Sequence, residues 1–120
     1  MKCQCEKMAA AMYYEDAPRA FFRIIEQVAV GNWIVLFRCK RCGQHWSIDE
    51  WDKYQVRVIT KVSNVENWET TDSTSLRKDL LLRSRGGTTS QECAWQGCDG
   101  KQVKGVVLCI DHLYATGARR

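Results

Sequence analysis

Apolar and polar positions are most clearly patterned in the first half of the chain. Residues 20–30 (AFFRIIEQVAV) and 33–38 (WIVLFR) are two apolar, β-branched and aromatic runs separated by Gly31-Asn32, which predicts a β-hairpin closed by a two-residue turn. Between 54 and 62, Tyr54, Val56, Val58, Thr60 and Val62 alternate with Gln55, Arg57, Ile59 and Lys61. That period of two predicts a half-buried strand added to the hairpin sheet. Residues 63–71 are polar apart from Val65 and Trp68 and read as a linker. A helix is predicted over 74–85, with an apolar face of Leu76, Leu80 and Leu81. Asp72, Ser73, Thr74 and Ser75 are candidates for its N-cap, Arg83 and Arg85 suit its C-terminal dipole, and Gly86-Gly87 stops it. Residues 101–108 then predict a small hairpin bent at Gly105, with 106–108 as the return strand. A last helix begins near Cys109, includes Leu113 and Tyr114, and ends at Gly117.

The cysteines lie at the ends of these elements, and their spacing carries the chemistry. Cys93 and Cys98 flank a turn containing Gly97, while Cys109 and His112, three apart, share a face of the first turn of the last helix. Three thiolates and one imidazole fill a tetrahedral zinc shell with no position left for water, which is the form of a structural site. Cys39 and Cys42 form a Cys-x-x-Cys followed by Gly43, which permits a tight turn whose backbone amides point at the sulfurs. With Cys3 and Cys5 they make a four-cysteine zinc site; His45 is the natural substitute should Cys3 not take part. A redox reading of Cys39 and Cys42 lacks the helix that should follow such a motif. Unligated core cysteines are the remaining alternative at each site.

These motifs give the chain its resemblances. The hairpin delivering Cys39 and Cys42, with a second cysteine pair nearby, resembles a zinc ribbon. The knuckle, hairpin and helix of about the last thirty residues resemble a treble-clef zinc finger. The expected fold is therefore a small α+β protein: a zinc-ribbon-like antiparallel sheet over 1–68, then a treble-clef-like zinc module with two short helices over 69–120. The two modules are expected to pack as one compact body.

Composition narrows the picture further. The chain has 120 residues, one domain's worth, and a core of that size is helped by metal staples. Seven cysteines in paired knuckles fit a cytosolic zinc protein better than a secreted disulfide scaffold. The opening MKCQCEKMAAAMYYED is a poor signal peptide, and no stretch approaches the roughly 20 apolar residues of a membrane span, so a cytoplasmic location is expected. The net charge of +4 is spread evenly, and neither half forms the dense positive arm of a dedicated duplex binder.

Function is narrowed mostly by elimination. If both sites fill, eight of the nine Cys and His residues are ligands, leaving no evident nucleophile, base or open metal position, so no enzyme activity is expected. Trp46, Asp49, Glu50, Trp51 and Asp52 form an aromatic and acidic stretch that serves either as a partner-binding surface or as a roof over the core. The layout around CKRCGQHW and CIDHLYATGARR loosely resembles the small zinc-containing immunity proteins that accompany bacterial polymorphic toxins. That resemblance implies an intracellular protein that neutralises a cognate toxin by occluding its active site, with the stretch from Trp46 to Asp52 as its contact. The competing expectation is a zinc-finger regulator that contacts nucleic acid through Arg38, Lys40, Arg41 and the basic residues between Arg77 and Arg85, with Trp46 or Trp51 stacking on bases.

Overall fold

The computed structural model describes residues 3–50 and 57–118. It is a small α+β structure that divides into two compact units, Met1–Ser73 and Thr74–Arg120. Among the described residues no helix is long and apolar enough to cross a membrane.

The first unit is built on a five-stranded antiparallel sheet. Its strands are β1 (Ala11–Tyr13), β2 (Ile25–Val30), β3 (Ile34–Cys39), β4 (His45–Asp49) and β5 (Val58–Val62), arranged in the order β1-β5-β4-β3-β2. The hairpin expected from the pattern is present as β2 and β3, but it is shorter, because Arg19–Ile24 forms a helix, α1. Pro18 precedes α1 with its ring-fixed φ of −62°, and the helical turn carries Phe21 into the core, edge-on to Trp46 with ring centroids 5.1 Å apart. Burial of that ring overrides the local strand preference of Phe21, Phe22 and Ile24.

The hairpin turn also differs from expectation. Its two central residues are Asn32 and Trp33, one position later than expected: Val30 pairs with Val35, the Gly31 N–H donates to the Ile34 carbonyl at 2.7 Å, and the residue in the left-handed region is Trp33, with φ 64°. Gly31 is needed for space instead, since a Cβ there would lie 2.9 Å from both Glu69 Oε1 and the Trp68 ring.

Strand β5 lies between β1 and β4 and is covered on both sides, with Val58, Ile59 and Thr60 all buried, so the half-buried strand of the sequence pattern is corrected. Residues 54–56 of that expected strand lie outside the described residues. One face of the sheet holds the core of Cys5, Phe21, Cys39, Trp46, Ile48 and Ile59. The expected linker folds back on the sheet: Trp68, Thr71 and Ser73 close a cavity of about 60 Å³ with Ser47 and Thr60. Asn32 N–H donates to Glu69 Oε1 at 3.1 Å.

In the second unit α2 (Thr74–Ser84) follows its predicted course and buries Leu80 and Leu81. It ends where Gly86 and Gly87 take φ of 98° and 92°, with the Gly87 N–H returning to the Leu82 carbonyl at 3.0 Å. Strand β6 (Thr88–Glu92) pairs antiparallel with β7 (Lys101–Val103), and α3 (Ile110–Ala115) closes a core of Leu81, Val103 and Leu113. The hairpin expected within 101–108 is therefore corrected. Residues 106–108 form a bend, and β7 pairs backwards with β6, a polar strand whose only apolar signal is the methyls of two threonines. Lys78 and Asp111 join α2 to α3 by a salt bridge of 3.0 Å.

Candidate metal centres

Each unit gathers four metal-ligating side chains whose donor atoms all lie within 4.8 Å of one another: Cys3, Cys5, Cys39 and Cys42 in the first, and Cys93, Cys98, Cys109 and His112 in the second. All seven cysteines are free thiols. Both clusters are compatible with a metal ion.

The first centre sits where the chain start meets the β3–β4 turn. Cys39 is the last residue of β3, and its N–H and C=O close the turn with the Gln44 carbonyl at 2.8 Å and the Gly43 N–H at 2.9 Å. Gly43 takes φ 81°, and a Cβ at that position would meet nothing within 4 Å, so the backbone conformation is what requires glycine there. Arg41 N–H donates to Cys39 Sγ at 3.4 Å. Cys5 comes from a single 3-10 turn, Cys5–Lys7, and is buried in the core with Cys39, while Cys42 is exposed.

Electrostatics at this centre favour some anionic sulfurs and oppose others. Burial pushes the Cys39 thiol up, but the backbone N–H groups of Cys42 and Arg41 and the neighbouring thiols more than offset it, lowering it to about 7. Burial pushes the Cys5 thiol up to about 12, against the pull of the Trp46 indole N–H. Burial also raises Cys42. Among the described residues the buried Trp46 Nε1 has no hydrogen-bond partner at ordinary distance. The indole N–H favours an anionic Cys5 sulfur, and a cation held among the four sulfurs would favour it further.

The second centre lies between the β6–β7 hairpin and α3. Cys93 directly follows β6, Cys98 closes a turn through its N–H to the Trp95 carbonyl (3.0 Å) with Gly97 at φ 81°, and Cys109 is the N-cap of α3, one turn from His112. His112 Nδ1 lies 3.2 Å from Cys109 Sγ and 3.5 Å from Cys93 Sγ, and Cys98 Sγ lies 3.9 Å from Cys109 Sγ. Ordinary zinc–sulfur and zinc–nitrogen bond lengths give tetrahedral edges of roughly 3.8 Å between sulfurs and roughly 3.5 Å from sulfur to nitrogen. The observed edges match these and far exceed a disulfide bond of about 2.05 Å.

Burial raises the Cys93 thiol, but the N–H groups of Cys109 and Trp95 and the His112 ring outweigh that and lower it to about 6. The Gly100 N–H pulls Cys98 down, yet burial and the Cys109 and Cys93 sulfurs raise it on balance.

Two residues at this centre were not singled out from sequence. Gly100 donates its N–H to Cys98 Sγ at 3.4 Å, and a Cβ there would lie 3.0 Å from Cys109 Cβ and 3.4 Å from its sulfur. Trp95 donates its N–H to Cys93 Sγ at 3.4 Å and stacks its ring on His112, centroids 4.5 Å apart and planes 11° apart. Each stands two residues after a ligand cysteine, a spacing that marks a backbone amide able to reach the sulfur.

The alternative ligand His45 begins β4 and stands outside the first cluster. Of the expected contact stretch, Trp46 is 0% exposed, which corrects it from partner surface to core. The Asp49 carboxylate accepts the Val58 N–H at 3.0 Å, fastening β4 to β5, and Glu50 N–H donates to the Trp33 carbonyl. Trp51 and Asp52 lie outside the described residues. Among the basic residues weighed for nucleic acid, Arg38 pairs with Glu26 at 2.6 Å, Lys78 with Asp111 and Arg83 with Asp79 at 2.8 Å. No family model matches the chain, and neither does any curated protein or solved structure.

Proposed function

We propose that this is a non-catalytic protein with two structural zinc ions that acts by binding another protein, its specific role being that of a bacterial immunity protein which occludes a cognate toxin in the cytoplasm. The observation that carries the non-catalytic reading is that each cluster already holds four soft or borderline donors, at tetrahedral spacing in the second, with no carboxylate in either cluster among the described residues. Zinc is the metal favoured by a shell of four thiolates and by a shell of three thiolates with one imidazole. The β3–β4 turn bearing Cys39 and Cys42 supports a zinc-ribbon-like reading of the first unit. The Cys93–Cys98 turn followed by β7 and α3 supports a treble-clef-like reading of the second.

Three of the basic residues weighed for nucleic acid, Arg38, Lys78 and Arg83, are each paired with a carboxylate, which reduces the positive charge those positions offer to phosphates and supports a protein partner. The test is affinity capture of the tagged chain from its host, with nuclease treatment and a raised-salt wash. A stoichiometric protein that survives both, and whose toxicity the chain suppresses on co-expression, supports the role. Recovery of nucleic acid alone when nuclease is omitted contradicts it.

A further inference from the structure

The turn of the β2–β3 hairpin carries a residue that local physics disfavours twice. Trp33 is 66% exposed, leaving a large apolar ring in water, and its φ of 64° makes it the one non-glycine residue in the left-handed region among those described. For a residue with a Cβ that conformation is disfavoured by roughly tenfold relative to the right-handed one. The second position of this two-residue turn, where φ is positive, is a place where glycine ordinarily serves, and nothing in its closure through Gly31 and Ile34 requires an indole. Val28, at a bulge in the edge strand β2, and Val30, next to the turn, are also exposed, so the apolar surface continues along the sheet edge.

A carboxylate flanks this ridge: Glu69 Oε1 accepts the Asn32 N–H at the turn at 3.1 Å, and the backbone of Glu50 is tied to that of Trp33 through its N–H to the Trp33 carbonyl at 3.0 Å. An exposed tryptophan with an acidic neighbour repels phosphates and suits a positively charged protein surface.

We propose that Trp33, with Val28 and Val30, anchors the interface with the partner, and that the partner presents an apolar recess rimmed by lysine or arginine. This rests on the reading of the chain as a protein-binding module, and it assigns the contact that the buried Trp46 cannot make. Strain at an exposed aromatic is the signature of a residue kept for what it touches.

The test places a photo-cross-linking benzoylphenylalanine at position 33 in the full chain in its host, and separately at position 95, the exposed tryptophan of the other unit. The proposal expects a protein adduct from position 33 and not from 95, with a partner peptide rich in Lys and Arg. Trp33→Gly should lose that partner at least tenfold while raising the folded-to-unfolded ratio by roughly tenfold, because glycine relieves the strain. Glu69→Lys, on the exposed rim, should weaken capture at low salt. An adduct from position 95 alone, or with a second copy of the chain, overturns this interface and leaves the protein-binding reading intact. No adduct from either position also overturns this interface, and a nucleic-acid adduct from position 33 overturns both. A Trp33→Gly variant no more stable than the parent removes the strain argument.

Discussion

Gly43 and Gly100 each stand beside a ligand cysteine for different reasons, and substitution separates them. At Gly43 only the positive φ is at stake, so Gly43→Ala should cost roughly 1 kcal/mol and leave the first zinc bound. At Gly100 the backbone passes so close to Cys109 that Gly100→Ala must push the sulfur aside. It should destabilise the second unit by about 1–3 kcal/mol and weaken zinc there, as read by chelator competition. Trp95 supports the same centre from outside, holding Cys93 with its amide and His112 with its ring. Trp95→Ala should therefore lower zinc affinity at the second centre by about 10–100-fold, with Trp95→Phe retaining most of it, while the first centre is unchanged. Equal affinity in Trp95→Ala and the parent would show that the stack is incidental.

Among the elements, Trp46 on β4 shows how far the sequence could be read. Its neighbourhood of aromatics and acids pointed equally to a contact surface and to a core. The distinction depends on α1, whose Phe21 covers the ring, and on the long-range pairing of β4 between β3 and β5. Trp46→Ala should cost about 3–5 kcal/mol in chemical denaturation and loosen the first zinc, because Cys5 and Cys39 share its core. The hairpin, α2 with its glycine stop, α3 and all eight clustered residues were legible, since each is marked by local spacing or turn chemistry. Helix α1 was not, because its residues favour a strand and only the burial of Phe21 decides otherwise. Strand β6 is not marked, for the opposite reason: TTSQE offers no apolar period, and only its pairing with β7 makes it a strand. The turn keeps its expected two-residue length but lies one position later, because Gly31 is used for its small size against Trp68 and Glu69 and the left-handed position falls to Trp33.

For the whole molecule, the two clusters tie stability to pH and metal. In chelator-stripped protein the thiols of Cys39 and Cys93 titrate at about 7 and about 6, below the 9.0 of the unfolded chain. A lowered pKa contributes stability that is complete above pH 9 and is lost as pH falls through 7 and then 6. Cys5, raised to about 12, acts in the opposite sense only above pH 9. The stripped protein should therefore be more stable toward urea at pH 8.5 than at pH 6. The zinc-loaded protein should release its metal on acidification through the same window as protons compete for the sulfurs.

The central claim is that two separate closed shells each hold one zinc, and native mass spectrometry of protein prepared without chelators tests it most directly. The parent should carry two zinc ions per chain, and Cys109→Ser should carry one, with the second unit destabilised because structural zinc supplies folding energy. A folded parent with no zinc, or a Cys109→Ser protein that keeps both ions, would contradict the account.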